Sequence, residues 1–220
     1  MLQRDYLMKM TQMLATVLTK VLFNKEKKNY IEAEKEIESA AKTIVGLDLN
    51  LIKILNVEDV LKLMKTSDVY AGRCLISAEL LKEYGDILGE KERINESMDI
   101  YIKSLCLYLE TILTKELPEP ETYYDRINFL IKNLTSPETD TDLKLKIFQY
   151  YEFSGQYSKA EDVLFELMDS DTEGIKDKAL KFYERLQKKS DEELGKGNFS
   201  HGEVEDSIEE ILSRYNTESN

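Results

Sequence analysis

The chain has 220 residues, and Asp plus Glu outnumber Lys plus Arg by 43 to 30, for a formal charge of −13. That balance lacks the basic footprint a nucleic-acid binder needs to displace condensed counterions. Nine Gly and three Pro leave few of the residues that many β-turns require, and one His with two Cys cannot make an all-His/Cys metal site. An apolar content of 42% supplies a core without staples, in one large or two small domains.

Charge is unevenly placed. Residues 1–30 hold six basic and two acidic side chains, whereas 190–220 hold two basic and nine acidic. The basic residues near the start, Arg4, Lys9, Lys20, Lys25, Lys27 and Lys28, are diluted by Leu, Met and Val. Lys25, Lys27 and Lys28 suit the negative end of a helix dipole. Cys74 and Cys106 lie in apolar stretches without a CxxC, as small buried groups in a reducing compartment do. The opening residues lack the apolar run of a signal peptide, and no apolar run is long enough to span a bilayer. A cytoplasmic protein is expected.

Apolar residues at three- and four-residue spacing predict a long first helix over Leu2–Phe23. A second follows from Tyr30 through Ala33, Ile37 and Ala40, closed by Gly46. Leu47–Leu55 alternates at its start, but a strand there has no partner, so a connector or short helix is expected. Asn56 opens a helix over Val57–Lys65. Ser67 or Asp68 opens the next, carrying Cys74 to Leu88 with a brief break at Gly89. Another runs from Ile94 to Ile112 and stops before Pro118 and Pro120. Segments around Tyr123–Leu134, Leu143–Tyr151 and Tyr157–Met168 come next, with Pro137 at a first-turn position. Helices over Ile175–Leu186 and Val204–Tyr215 complete the order, with Ser190/Glu193 and Ser200/Glu203 as capping boxes. Residues 216–220 form a frayed tail.

Three markers, Tyr30, Ile94 and Tyr157, fall 64 and 63 residues apart. Each is followed three residues later by a small side chain (Ala33, Ser97, Ala160) that lets a neighbouring helix approach. Gly155-Gln156-Tyr157-Ser158-Lys159-Ala160 resembles the turn of a tetratricopeptide hairpin, and Gly85 sits at a small position of a second, more degenerate one. This resemblance implies an all-α fold of antiparallel hairpins stacked as a right-handed superhelix or irregular α-α solenoid. On that frame 1–215 is one domain with hairpins at about 3–45, 69–115 and 141–170, spacer helices at about 57–65 and 120–134, and helices over 174–215. The segment Asp5–Leu14 with Val45-Gly46-Leu47-Asp48 is similar to an uncharacterised family of bacterial tetratricopeptide-like proteins, a resemblance that carries fold and no activity.

Chemistry finds little support in the residues. His201 has no HExxH spacing, no GxSxG elbow is present, and GKGN at Gly195–Asn198 is not a phosphate loop. Alternating Glu32, Glu34, Glu36 and Glu38 read as a solvated face. No cofactor, metal site or catalytic residue is expected. Helix-A positions of the repeat frame instead suggest a peptide groove over Glu79, Lys82, Asp86, Gln149, Glu152 and Phe153. Ala15, Leu18 and Leu22 on the first helix are apolar and suit cover by another part of the chain or by a second copy. Acidity favours a basic or apolar peptide. The expected role is a non-catalytic protein- or peptide-interaction scaffold, with a peptide-sensing regulator and a carboxylate-dependent helical enzyme as alternatives, and no nucleic acid or membrane as partner.

Overall fold

The computed structural model describes residues 2–65, 69–134, 139–170 and 172–217, with side chains between 5 and 214. Among these residues every regular element is helical. Contacts group the chain into two compact units, Met1–Leu134 and Thr135–Asn220, and each is described by itself. The stretch 1–215, read from sequence as one domain, divides at the polar break after the second spacer.

The first unit contains α1 (Leu2–Glu26), α2 (Tyr30–Ala40), α3 (Leu49–Ile54), α4 (Val57–Met64), α5 (Tyr70–Glu90), α6 (Ile94–Leu113) and α7 (Tyr124–Leu134). A π-turn at Ala41–Val45 extends α2, and a 3-10 turn at Pro120–Tyr123 leads into α7. Helix α5 is the centre. Cys74, Ile76, Ala78, Leu81 and Ile87 are wholly buried, so its apolar residues surround nearly the whole circumference, as suits a helix packed on several sides.

Small residues set the α5–α6 approach. A Cβ on Gly85 would lie 2.5 Å from the Tyr101 ring, so only glycine admits that aromatic. Two buried serines of α6 are satisfied across the gap, Ser97 Oγ donating to the Gly85 carbonyl and Ser104 Oγ to that of Ala78, both at 2.8 Å. Helix α5 runs unbroken through Gly89 to Glu90, correcting the break expected there. The expected cap at Ser67 or Asp68 lies outside the described residues, as does Pro137. The Leu47–Leu55 stretch forms α3, capped by Asp48 through the Asn50 amide. Lys103 reaches its last carbonyls, those of Lys53 and Leu55, placing a cation at the negative helix end.

The second unit holds α8 (Thr141–Phe153), α9 (Tyr157–Asp169), α10 (Ile175–Leu186), α11 (Asp191–Lys196) and α12 (His201–Thr217). Ser190 and Glu193 form the expected capping box of α11. The Tyr183 and Ser207 hydroxyls both donate to Glu161, at 2.6 and 2.8 Å, tying α10 and α12 to α9.

The 63–64-residue spacing recurs in the backbone. Tyr30, Ile94 and Tyr157 are each the first residue of a helix. The preceding residues, Asn29, Arg93 and Gln156, share one conformation, with φ/ψ of −89/63, −88/61 and −91/62°. One residue earlier Lys28, Glu92 and Gly155 are left-handed, at φ 56, 60 and 73°. In each turn an amide reaches five residues back, Asn29 to Asn24, Arg93 to Leu88 and Gln156 to Tyr151, which is the 6→1 closure of a Schellman end. The small residues that follow, Ala33, Ser97 and Ala160, are all buried. Only the third turn uses glycine. Lys28→Gly and Glu92→Gly are therefore expected to stabilise by about 0.5–1 kcal/mol each, read as a higher urea midpoint with an unchanged slope.

Candidate functional site

Side-chain contacts fix the direction of the first unit's helices. A Cβ on Gly72 would meet Leu7 and Met10 at 3.1 and 3.2 Å, while Lys25 reaches Glu83 and Asp86. Thus α1 and α5 run side by side in the same sense. Helix α7 does the same, since Tyr123 lies by Leu75 at its start and Arg126 meets Glu79 one turn on. Helix α5 therefore forms a floor between α1 on one side and α7 on the other.

A cleft of about 250 Å³ opens at the start of this floor. Leu7, Met8 and Thr11 of α1 form one wall, with Leu75 of α5 beneath; Leu117, Pro118, Glu119, Thr122 and Tyr123 of the α6–α7 connection form the other. Among the described residues Glu119 is its only charged lining residue. The volume is below the roughly 300 Å³ where small-molecule pockets begin and suits one large side chain. No sequence pattern marked it, because it needs a loop near 117–123 to meet a helix over a hundred residues earlier.

Beyond the cleft the α5 floor turns polar. Glu79, Lys82, Glu83 and Asp86 share one face at three- and four-residue spacing. Lys25 Nζ donates to Glu83 at 2.7 Å and to Asp86 at 2.6 Å, Lys82 Nζ donates to Asp86 at 2.9 Å, and the Tyr101 hydroxyl to Asp86 at 2.7 Å. The Lys25 and Glu83 side chains are only 10% and 8% exposed. Burial disfavours the charged forms, but the hydrogen bonds that Lys25 donates to Asp86 and Glu83, with their charges, outweigh it and raise Lys25 above its usual range. Burial likewise pushes Asp86 up, and the Lys25, Lys82 and Tyr101 contacts more than offset it, leaving Asp86 low.

Three of the six expected groove residues thus need correction. Glu79 is 2% exposed, and Lys82 and Asp86 are partly covered and already paired, because α1 and α7 close over a face the repeat frame left open. Substituting Lys82 or Asp86 disturbs packing before it disturbs any partner. The other three lie in the second unit. Gln149 is exposed and Phe153 half-buried, while both Glu152 oxygens accept from Arg185, at 2.6 and 2.9 Å.

Glu79 is a buried carboxylate with little compensation. Neither carboxylate oxygen has a hydrogen bond, and the Arg126 guanidinium stands 3.5 Å away. Burial raises its pKa despite that cation. Burial, with the Glu79 charge, holds the Tyr108 phenol well above its ordinary value. A carboxylate raised in the folded state costs stability as pH climbs through its folded value. Glu79→Gln is therefore expected to melt higher than the parent at pH 7, the gap closing as pH falls toward 4.

Among the described residues no group of three or more His, Cys, Asp or Glu is placed to hold a metal ion, and no helix is long and apolar enough to cross a membrane. His201 lies 3.5 Å from Asp191 at the surface. Residues 1–216 match the family of unknown function DUF6483, and the chain belongs to that family. No curated protein and no solved structure matches it.

Proposed function

We propose that this member of DUF6483 is a non-catalytic interaction scaffold that holds a protein or peptide segment in the groove between α1 and α7, with one large side chain seated in the cleft. The observation that carries this reading is the cleft itself: side-chain-sized, mostly apolar, and bordered among the described residues by one carboxylate, Glu119. Such lining suits an apolar or basic segment better than an acidic one. The parallel run of α1, α5 and α7, alternating with α2 and α6, and the three matching turns support a tetratricopeptide-like stack whose helix-A faces line the groove. Neither Cys74 nor Cys106 is in a disulfide, which accords with a reducing, cytoplasmic setting.

The test is capture of the full chain on an array of synthetic 15-residue amphipathic peptides, with Thr122→Trp as the plugged variant. Thr122 is exposed and lines the cleft, so a bulky ring there fills the hole without entering the core. Capture of basic–apolar peptides that falls at least about tenfold in the plugged variant supports the reading. No capture by a monomeric chain, or equal capture by both proteins, contradicts it.

A further inference from the structure

Helix α1 is covered along a narrow stripe only. Tyr6, Met8, Met13, Leu22 and Phe23 are 42–53% exposed, more large apolar groups than any other helix of the first unit exposes among the described residues. In a chain with 33% charged residues, the ten from Met10 to Thr19 include none. The three threonines of that stretch also turn their hydroxyls to their own helix. Thr11, Thr16 and Thr19 donate them to the carbonyls of Met8, Gln12 and Ala15. A solvated helix has no use for so long an uncharged exposed face, whereas an interface does.

Near the C-terminal end of α1 is a knob that matches the cleft near its start. Phe23 is 53% exposed, and Lys27 Nζ sits 4.0 Å from the centre of its ring. An aromatic carrying a cation is what an apolar hole edged by Glu119 accepts. We infer that the occupant of the groove is α1 of a second copy of this chain, lying antiparallel to the first. The inference rests on the interaction reading above and names its partner. Centring the pair on Thr16 brings Phe23 of each copy beside Met8 and Lys9 of the other, at the mouth of the cleft. The same register sets Lys27 against Asp5, with Glu119 at the cleft rim. The arrangement is isologous: two knobs fill two holes and the assembly closes as a dimer. Thr16 occupies the crossing with Ala15 and Thr19, whose small uncharged side chains allow the helices to approach, and with uncharged Gln12 beside them.

Light scattering on the full chain tests this. The proposal expects a dimer mass, and Phe23→Glu, whose target is exposed, weakens association at least about tenfold while circular dichroism stays unchanged. Lys27→Glu and Glu119→Lys each weaken it, and the two together restore it. Mild oxidation of Thr16→Cys traps a disulfide dimer at the two-fold axis, whereas Ile54→Cys, 81% exposed on α3, does not. A monomer at all concentrations, or a dimer indifferent to Phe23→Glu and the charge exchange, overturns the proposal. A monomer whose cleft still captures peptides refutes the second copy and leaves the interaction reading standing. A Phe23-dependent dimer whose cleft captures no free peptide supports this proposal and restricts the groove to self-association.

Discussion

Replacing Lys25 with methionine is expected to destabilise the first unit by about 3 kcal/mol. The reason is what remains: Glu83 and Asp86 stay largely covered with Lys82 as their only cation of the cluster. An exposed pair behaves differently, contributing about 0–1 kcal/mol. Lys20, whose side chain is 58% exposed beside Glu36, is the control, and Lys20→Met is expected to change little. Adding Glu83→Gln and Asp86→Asn to Lys25→Met should recover much of the loss, since the orphaned charges go with their partner. The pH dependence has a definite sign. Asp86 is held low in the folded state, so its contribution is complete above about pH 4, its unfolded value, and fades as pH falls through the folded one. Urea unfolding at pH 7 reads the main effect, and a loss matching the Lys20 control contradicts it.

Gly197→Ala should be as damaging in the second unit. A Cβ there would stand 2.6 Å from the Gly155 carbonyl and overlap the Tyr157 ring. Neither can retreat easily: the carbonyl is backbone, and the ring is buried at the head of α9. The Gly197 carbonyl also accepts from the Ser158 amide at 3.1 Å, so displacement costs a hydrogen bond as well. Overpacking at such a site costs about 3 kcal/mol. Gly195→Ala tests the explanation from two residues away. Nothing lies within 4 Å of a Cβ at Gly195, at the end of α11, and helix propensity favours alanine there. It should be neutral or slightly stabilising.

What could be read in the sequence follows from the range of the forces involved. Hairpin turns are local, so Tyr30, Ile94 and Tyr157 with their small followers marked three helix starts that share one backbone geometry. Caps at Asn56 and Ser190 are equally local. The charge cluster is not: Lys25 reaches Glu83 and Asp86 across 58 and 61 residues, and nothing near Lys25 separates that role from a helix-dipole partner. For the same reason Glu79, Lys82 and Asp86 looked like free groove positions. Helical spacing placed them on one face correctly, but spacing says nothing about which helix covers that face. Ala15, Leu18 and Leu22 were legible as one apolar face, and the structure leaves Ala15 and Leu22 exposed, because an uncharged stripe is visible without knowing its neighbour. The cleft beside them was not, since Leu117–Tyr123 closes it from far along the chain.

The central claim, that the cleft-side face of α1 is an interaction surface, has a direct optical test because the chain contains no Trp. Met8→Trp places a single indole on the rim of the cleft, at a position 45% exposed. If the face is covered by a partner, emission of the full chain moves to shorter wavelength and loses acrylamide quenching as protein concentration rises or as a captured peptide is added. Emission that stays solvent-like and fully quenchable across all concentrations and peptides contradicts the claim.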